Sequence, residues 1–126
     1  MFEVKQLSDK KVAGTVILHL EDGSKRFLIR TMNNQLALAF TNFSEEQTGL
    51  ANILQLLKED VDLDIENIRL VELTNGQIYD NNVPLFVFES QEHQQWEELP
   101  NQYYWAEAQT FREIIQGMDI EGMPFF

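Results

Sequence analysis

Glu59 and Asp60 are neighbouring carboxylates near the end of an apolar-periodic stretch that runs from Ala37 to Leu63. Carboxylate oxygens are hard ligands of the kind Mg²⁺ or Mn²⁺ takes, and Mg²⁺ is commonly held by one or two of them together with substrate phosphates. The blander reading is a pair of solvated charges at a helix end. It is preferred, because acidic residues are common there through solubility alone. Tyr103, Tyr104 and Trp105, with Trp96 nearby, form a second candidate group. Such rings could stack a flat ligand, or they could plug the open side of a sandwich, which the area they bury favours. His19 and His93 have no partner at metal-ligand spacing and read as structural or exposed. Ser24, Ser44 and Ser90 lack the strand-turn-helix context of an activated nucleophile. There is no glycine-rich phosphate loop. The chain has no cysteine, which excludes thiolate chemistry and disulfides.

Elements that must position these groups can be read from periodicity and turn chemistry. Lys11 to Leu20 alternates as a strand with Val16, Leu18 and Leu20 on one face, Asp22-Gly23 marks a hairpin, and Lys25 to Thr31 returns. Asn33-Asn34 marks a further turn before the short apolar run Gln35 to Phe40. A helix is expected over about 45–61. Ser44 is its N-cap with Gln47 three residues on, Glu45 and Glu46 fall in its first turn, and Leu50, Ile53, Leu54, Leu57 and Val61 form its buried stripe. Ile68 to Leu73 reads as a strand, Asn75-Gly76 as a turn and Val83 to Glu89 as a strong strand. Gln91 to Gln102 reads as a polar loop. A closing helix over about 106–117 buries Phe111, Ile114 and Ile115 and stops at Gly117. This order predicts an α/β (α+β) sandwich with a mixed sheet.

The 126 residues fit one domain with a real core. Nine basic residues stand against 21 acidic ones, a net charge of −12 at pH 7. A nucleic-acid partner needs a basic footprint, so none is expected. No apolar run is long enough to span a bilayer, and no membrane contact is expected. The lack of cysteine is compatible with a cytoplasmic location. The tail 118–126 ends in Phe125-Phe126, an apolar liability unless it docks on its own domain or across a homodimer interface.

The stretch ALAFTNFSEEQTGLANILQLLKEDVDL resembles the box of the Nudix family, G-x5-E-x7-R-E-U-x-E-E-x-G-U, where U is aliphatic. Thr41, Gln47, Gln55, Leu56, Leu57, Glu59, Asp60, Asp62 and Leu63 fall on its nine diagnostic positions. Leu57, Glu59 and Leu63 match, and Asp60 is a conservative replacement. KRFLIRT is similar to the family strand that ends in a basic residue, here Arg30. VPLFVFE is similar to the long strand after the box, and WAEAQTFREI to the closing segment. The resemblance covers about 11–117 of a single domain, 1–126.

That resemblance implies a Nudix-like α/β/α sandwich in which the box acids would bind Mg²⁺ or Mn²⁺ and hydrolyse nucleoside diphosphate derivatives. It places Arg30, Tyr103, Tyr104 and Trp105 beside the ligand cleft of a small nucleotide-like molecule. Helical geometry puts Asn52, Leu56, Glu59 and Asp60 on one side, opposite the apolar stripe, so Leu56 would project where a carboxylate ligand belongs. Gln47 and Gln55 remove two further charges, and Thr41 and Asp62 replace both glycines. The favoured reading is a degraded box with little or no hydrolase activity, in a module that binds a ligand or a protein. The alternative is a divergent Mg²⁺-dependent hydrolase that adds Glu97 or Glu98 to Glu59 and Asp60. A third is an acidic protein that docks a basic or apolar partner through its surface and Phe-rich tail.

Overall fold

The computed structural model describes residues 10–42, 46–78, 81–90 and 98–116. Strands β1 (Lys11–His19), β2 (Lys25–Met32), β3 (Gln35–Ala37) and β4 (Ala39–Asn42) precede helix α1 (Gly49–Glu59) and a short 3-10 turn, Ile65–Asn67. Strands β5 (Ile68–Ile78), β6 (Asn81–Ser90) and β7 (Tyr103–Glu107) follow, and helix α2 (Ala108–Gln116) closes the described chain. The seven strands form one sheet in the order β3-β2-β1-β6-β5, with β4 on β1 and β7 on β2. Among the described strands only β1 and β6 run parallel, from Ala13↔Leu85 to Leu18↔Ser90. The sandwich expected from the element order is therefore present, with a helix on each face. No helix among the described residues is long and apolar enough to cross a membrane.

Alternation along the strands supplies two cores. Val12, Val16, Leu28, Phe86 and Phe88 face α1 and meet Ile53, Leu56 and Leu57. Ala13, Ile17, Phe27, Leu85 and Val87 face α2 and meet Phe111 and Ile115. The rings of Phe27 and Phe111 stack with centroids 4.5 Å apart. Burying a side chain of that size contributes about 2–3 kcal/mol. Close approach of α1 to the sheet depends on Gly14, where an added Cβ would lie 2.6 Å from Ile53 Cγ1.

Four sequence expectations shift. Helix α1 begins at Gly49 rather than near residue 45, and its N-cap is Thr48, whose hydroxyl accepts from Ala51 N–H at 3.0 Å. No acidic residue lies in its first turn. The expected Ser44 cap and Glu45 fall outside the described residues. Asn75-Gly76 is no turn: the ladder of β5 with β6 continues past it to Ile78↔Asn81, and pairing along eleven residues outweighs a two-residue turn signal. Tyr103 to Glu107, where the start of the closing helix and no strand was expected, form β7. The closing helix starts only at Ala108. His93, Trp96, Glu97, Gly117 and the 118–126 tail also lie outside the described residues.

Candidate functional site

The C-terminal turn of α1 gathers most of the chemistry. Its inward residues are Asn52, Ile53, Leu56 and Leu57, while Gln55, Lys58, Glu59 and Asp60 are exposed. Leu56 is 7% exposed and belongs to the α1-side core, so it does not project into a cleft beside Glu59. The helix is rolled so that the 52/56 row, not only the 53/57 row, faces the sheet. Asn52 is satisfied in this position by donating its side-chain amide to Thr48 O at 2.8 Å. Gln55 donates to Glu59 Oε1 at 3.3 Å, so a neutral amide rather than a cation orients that carboxylate.

The chain leaves α1 through a left-handed residue. Asp62 has φ +64°, and the Leu63 N–H reaches back to Leu57 O at 3.0 Å. A position of this kind favours glycine. Asp is among the few other residues that tolerate it. Thr41, by contrast, pairs with Val12 within β4, so it makes no bend.

A second turn is fastened to the helix end. Asn101 and Gln102 are both left-handed, with φ 58° and 68°, and Tyr103 N–H donates to Pro100 O at 3.1 Å. Two consecutive left-handed residues closed by such a bond make a type I′ turn. Asn101 Nδ2 donates to Asp60 O at 2.7 Å, which satisfies a carbonyl left over at the helix terminus. Thr31 N–H donates to Gln102 O at 3.0 Å, tying the same turn to β2.

These ties bring Arg30, Tyr103 and Asp60 together. Arg30 and Tyr103 are directly opposed across β2 and β7, so their side chains share a face. The Arg30 guanidinium carbon lies 5.3 Å from the Tyr103 ring centroid and 5.8 Å from that of Phe40, within cation–π range of both. Arg30 Nε is buried and has no hydrogen-bond partner among the described residues. A buried donor of this kind costs about 1–3 kcal/mol unless something accepts from it. Tyr103 is 2% exposed, and burial pushes its hydroxyl above the usual phenol range; Arg30 pulls the other way and Asp60 adds to the rise. Tyr103 thus fills the core as well as flanking Arg30. Trp105 is half-buried against the same core, whereas Tyr104 opposes Ile29 on the α2 face and is exposed. The three aromatic residues therefore serve both faces of the sheet.

The described residues do not fit a resident divalent cation. Leu56 turns its aliphatic side chain into the core, and among the described residues no third acid or histidine joins Glu59 and Asp60. A separate ionic cluster, not anticipated from sequence because its members are far apart in the chain, ties β1, β5 and β6. Glu89 accepts from Arg69 Nε at 2.7 Å and lies 3.2 Å from His19 Nε2. Arg69 first, and His19 after it, hold the Glu89 carboxyl below the usual range against its partial burial. A surface cleft of about 600 Å³ lies elsewhere, between the β1–β2 turn and the start of α2, lined by Lys25, Arg26, Glu107 and Arg112 among others. It shares no residue with the Arg30 group.

Comparison with solved structures assigns the architecture. The chain is similar to an Ap4A hydrolase of C. elegans, with a TM-score of 0.69 and 13% identity over 85% of this chain and 86% of that one. It is similar to a Nudix hydrolase of M. smegmatis, RenU, at TM-score 0.65 and 10% identity over 83% and 74% of the two chains. It also matches the Nudix domain of Shewanella oneidensis NrtR, solved with ADP ribose, at TM-score 0.56 and 12% identity over 90% and 88%.

The chain has a Nudix-like fold. Neither a family model nor a curated protein sequence matches it. Helix α1, which the sequence resemblance aligns with the box, carries Gln55, Leu56, Leu57 and Glu59 on its last turns, with Asp60 as its C-cap. In this Nudix-like domain Arg30 and Tyr103 lie beside that helix end, linked to it through the Asn101–Asp60 bond.

Proposed function

We propose that this Nudix-like domain has a degraded catalytic box and serves as a binding module for a small nucleotide-like anion, with little or no hydrolase activity. The observation that carries the reading is Arg30. Its guanidinium is held between the Phe40 and Tyr103 rings, and its buried Nε–H lacks an acceptor among the described residues. A phosphate oxygen would supply that acceptor, and an arginine donor suits it through charge-assisted hydrogen bonds. The site is pre-shaped, because the type I′ turn, the Asn101–Asp60 bond and the β2–β7 ladder fix the flanking backbone.

Loss of turnover is supported by what occupies the box. Leu56 has been absorbed into the core, and Gln55 supplies a neutral contact to Glu59. Two-metal displacement needs oxygen ligands that bridge both ions, and these two positions supply none. The ADP ribose seen with NrtR and the Ap4A named for the C. elegans enzyme give the ligand class to try first.

Calorimetric titration with ADP ribose, beside a phosphate-release assay in Mg²⁺ or Mn²⁺, tests the reading. The expected outcome is saturable binding that weakens roughly tenfold or more in Arg30→Gln, as loss of a charge-assisted contact predicts, without metal-dependent turnover. Turnover abolished by Glu59→Gln would overturn the reading in favour of a divergent hydrolase. Binding unaffected by Arg30→Gln would remove Arg30 from the site.

A further inference from the structure

Strand β5 ends the sheet, and no strand among the described residues pairs with its outer edge. Its two sides differ in chemistry. Leu70 opposes Phe88 and Leu73 opposes Phe86, so both leucines lie on the α1 face, and Ile68 joins them opposite Ser90. Helix α1 packs over β4, β1 and β6, leaving Leu70 43% and Leu73 56% exposed. Arg69 opposes Glu89 and Glu72 opposes Val87, which places both charges on the α2 face. A bulge takes Val71 out of the alternation, so the edge reads Ile68, Arg69, Leu70, Glu72, Leu73 with faces alternating.

We propose that β5 pairs antiparallel with β5 of a second copy of this chain, about a two-fold axis through Leu70. In that register Leu70 opposes the partner's Leu70, and Ile68 opposes the partner's Leu73. Arg69 opposes the partner's Glu72, and the symmetry repeats each contact. The apolar face thereby gains six aliphatic side chains in one continuous row, and the other face gains two pairs of opposite charge. Neighbouring registers fail on the same residues. An axis through Arg69 or Glu72 sets like charges face to face, and one through Leu73 opposes Leu70 to the polar Asn75. An exposed edge with apolar side chains is a template for strand addition, and here its charge pattern is self-complementary. Arg69 can serve both Glu89 and the partner's Glu72, because a guanidinium carries five donors and its side chain is 64% exposed. The bulge shortens the ladder, so the dimer belongs to the weak, small-interface class.

Sedimentation velocity of the full chain over rising concentration, up to millimolar, tests the proposal. The native chain is expected to move reversibly from monomer to dimer, and Leu73→Lys to remain monomeric. Arg69→Glu and Glu72→Arg should each weaken association roughly tenfold, because each sets like charges against the partner. Glu72→Arg leaves the Arg69–Glu89 contact in place, so it reads the interface even where Arg69→Glu perturbs folding. A chain monomeric at every concentration overturns the proposal, as does a dimer indifferent to Leu73→Lys or to Glu72→Arg. A dimer lost on truncation after Ile120 but retained in Leu73→Lys would assign association to the tail instead, and would equally overturn it.

Discussion

Asp62 shows how a residue other than glycine can hold a left-handed turn. Its φ of +64° is the left-handed conformation that lets the chain turn out of α1 and bring Leu63 back into the core. Left-handed backbone costs an ordinary L-residue roughly 1–2 kcal/mol, and Asp less than most. Asp62→Gly should therefore raise stability by about 0.5–1 kcal/mol, and Asp62→Val should lower it by about 1–2 kcal/mol. Urea denaturation of the three proteins checks this; a valine variant as stable as the native chain would mean that the turn relaxes freely. This position stood out in the sequence because the box it resembles has glycine there, the residue best suited to left-handed backbone. Leu56 was misread for a physical reason. Two rows, Ile53/Leu57 and Asn52/Leu56, lie about 100° apart on the helix, and only the roll of the helix on the sheet decides that both are inward.

Between elements, the contact of α1 with β1 is set by the absence of a side chain. Gly14 lies under Ile53, and a methyl there would meet Ile53 Cγ1 at 2.6 Å and Phe86 O at 3.3 Å. Because Cγ1 is near the root of a β-branched chain, it cannot swing away cheaply. Gly14→Ala is expected to destabilise by about 1–3 kcal/mol, as overpacking in a filled core does, measured as a lowered denaturation midpoint. An unchanged midpoint would place the helix farther from the sheet than described. Most elements could be read in advance, since strong alternation marks β1, β2 and β6 and a 3.6-residue period marks α1. Strand β7 could not. Its five residues follow a stretch of polar sequence and pair with β2, a long-range pairing that leaves little local trace. The same holds for Asn75-Gly76, a turn signal overridden by a continuous ladder.

For the whole molecule, charge is the distinguishing property. With a net charge of −12 the folded chain repels itself, and its cations matter most where they tie distant strands. Arg69 and His19 meet at Glu89, linking β5, β1 and β6. Since Glu89 titrates below its ordinary 4.5 in the folded state, its contribution is present above that value and is lost as pH falls through the folded one. Glu89→Gln should cost about 0.5–1 kcal/mol at pH 7, and the difference from the native chain should vanish once the pH falls below the folded-state titration of Glu89. A gap that persists in acid would assign the effect to packing rather than charge. Candidate-site residues spread over the chain, Arg30, Asp60 and Tyr103 among them, became a group only through the sheet order, which composition and spacing do not encode.

The hydrogen bond from Asn101 to the Asp60 carbonyl has a mechanical consequence. Strand β7 passes from that anchored turn straight into α2, with Glu107 and Ala108 adjacent and no linker between them. The helix end beside Arg30 and the helix on the opposite face are thus the two arms of one lever, with the β2–β7 ladder as its fulcrum. On the proposal that Arg30 binds an anion, β7 is the element that joins that site to α2 on the opposite face.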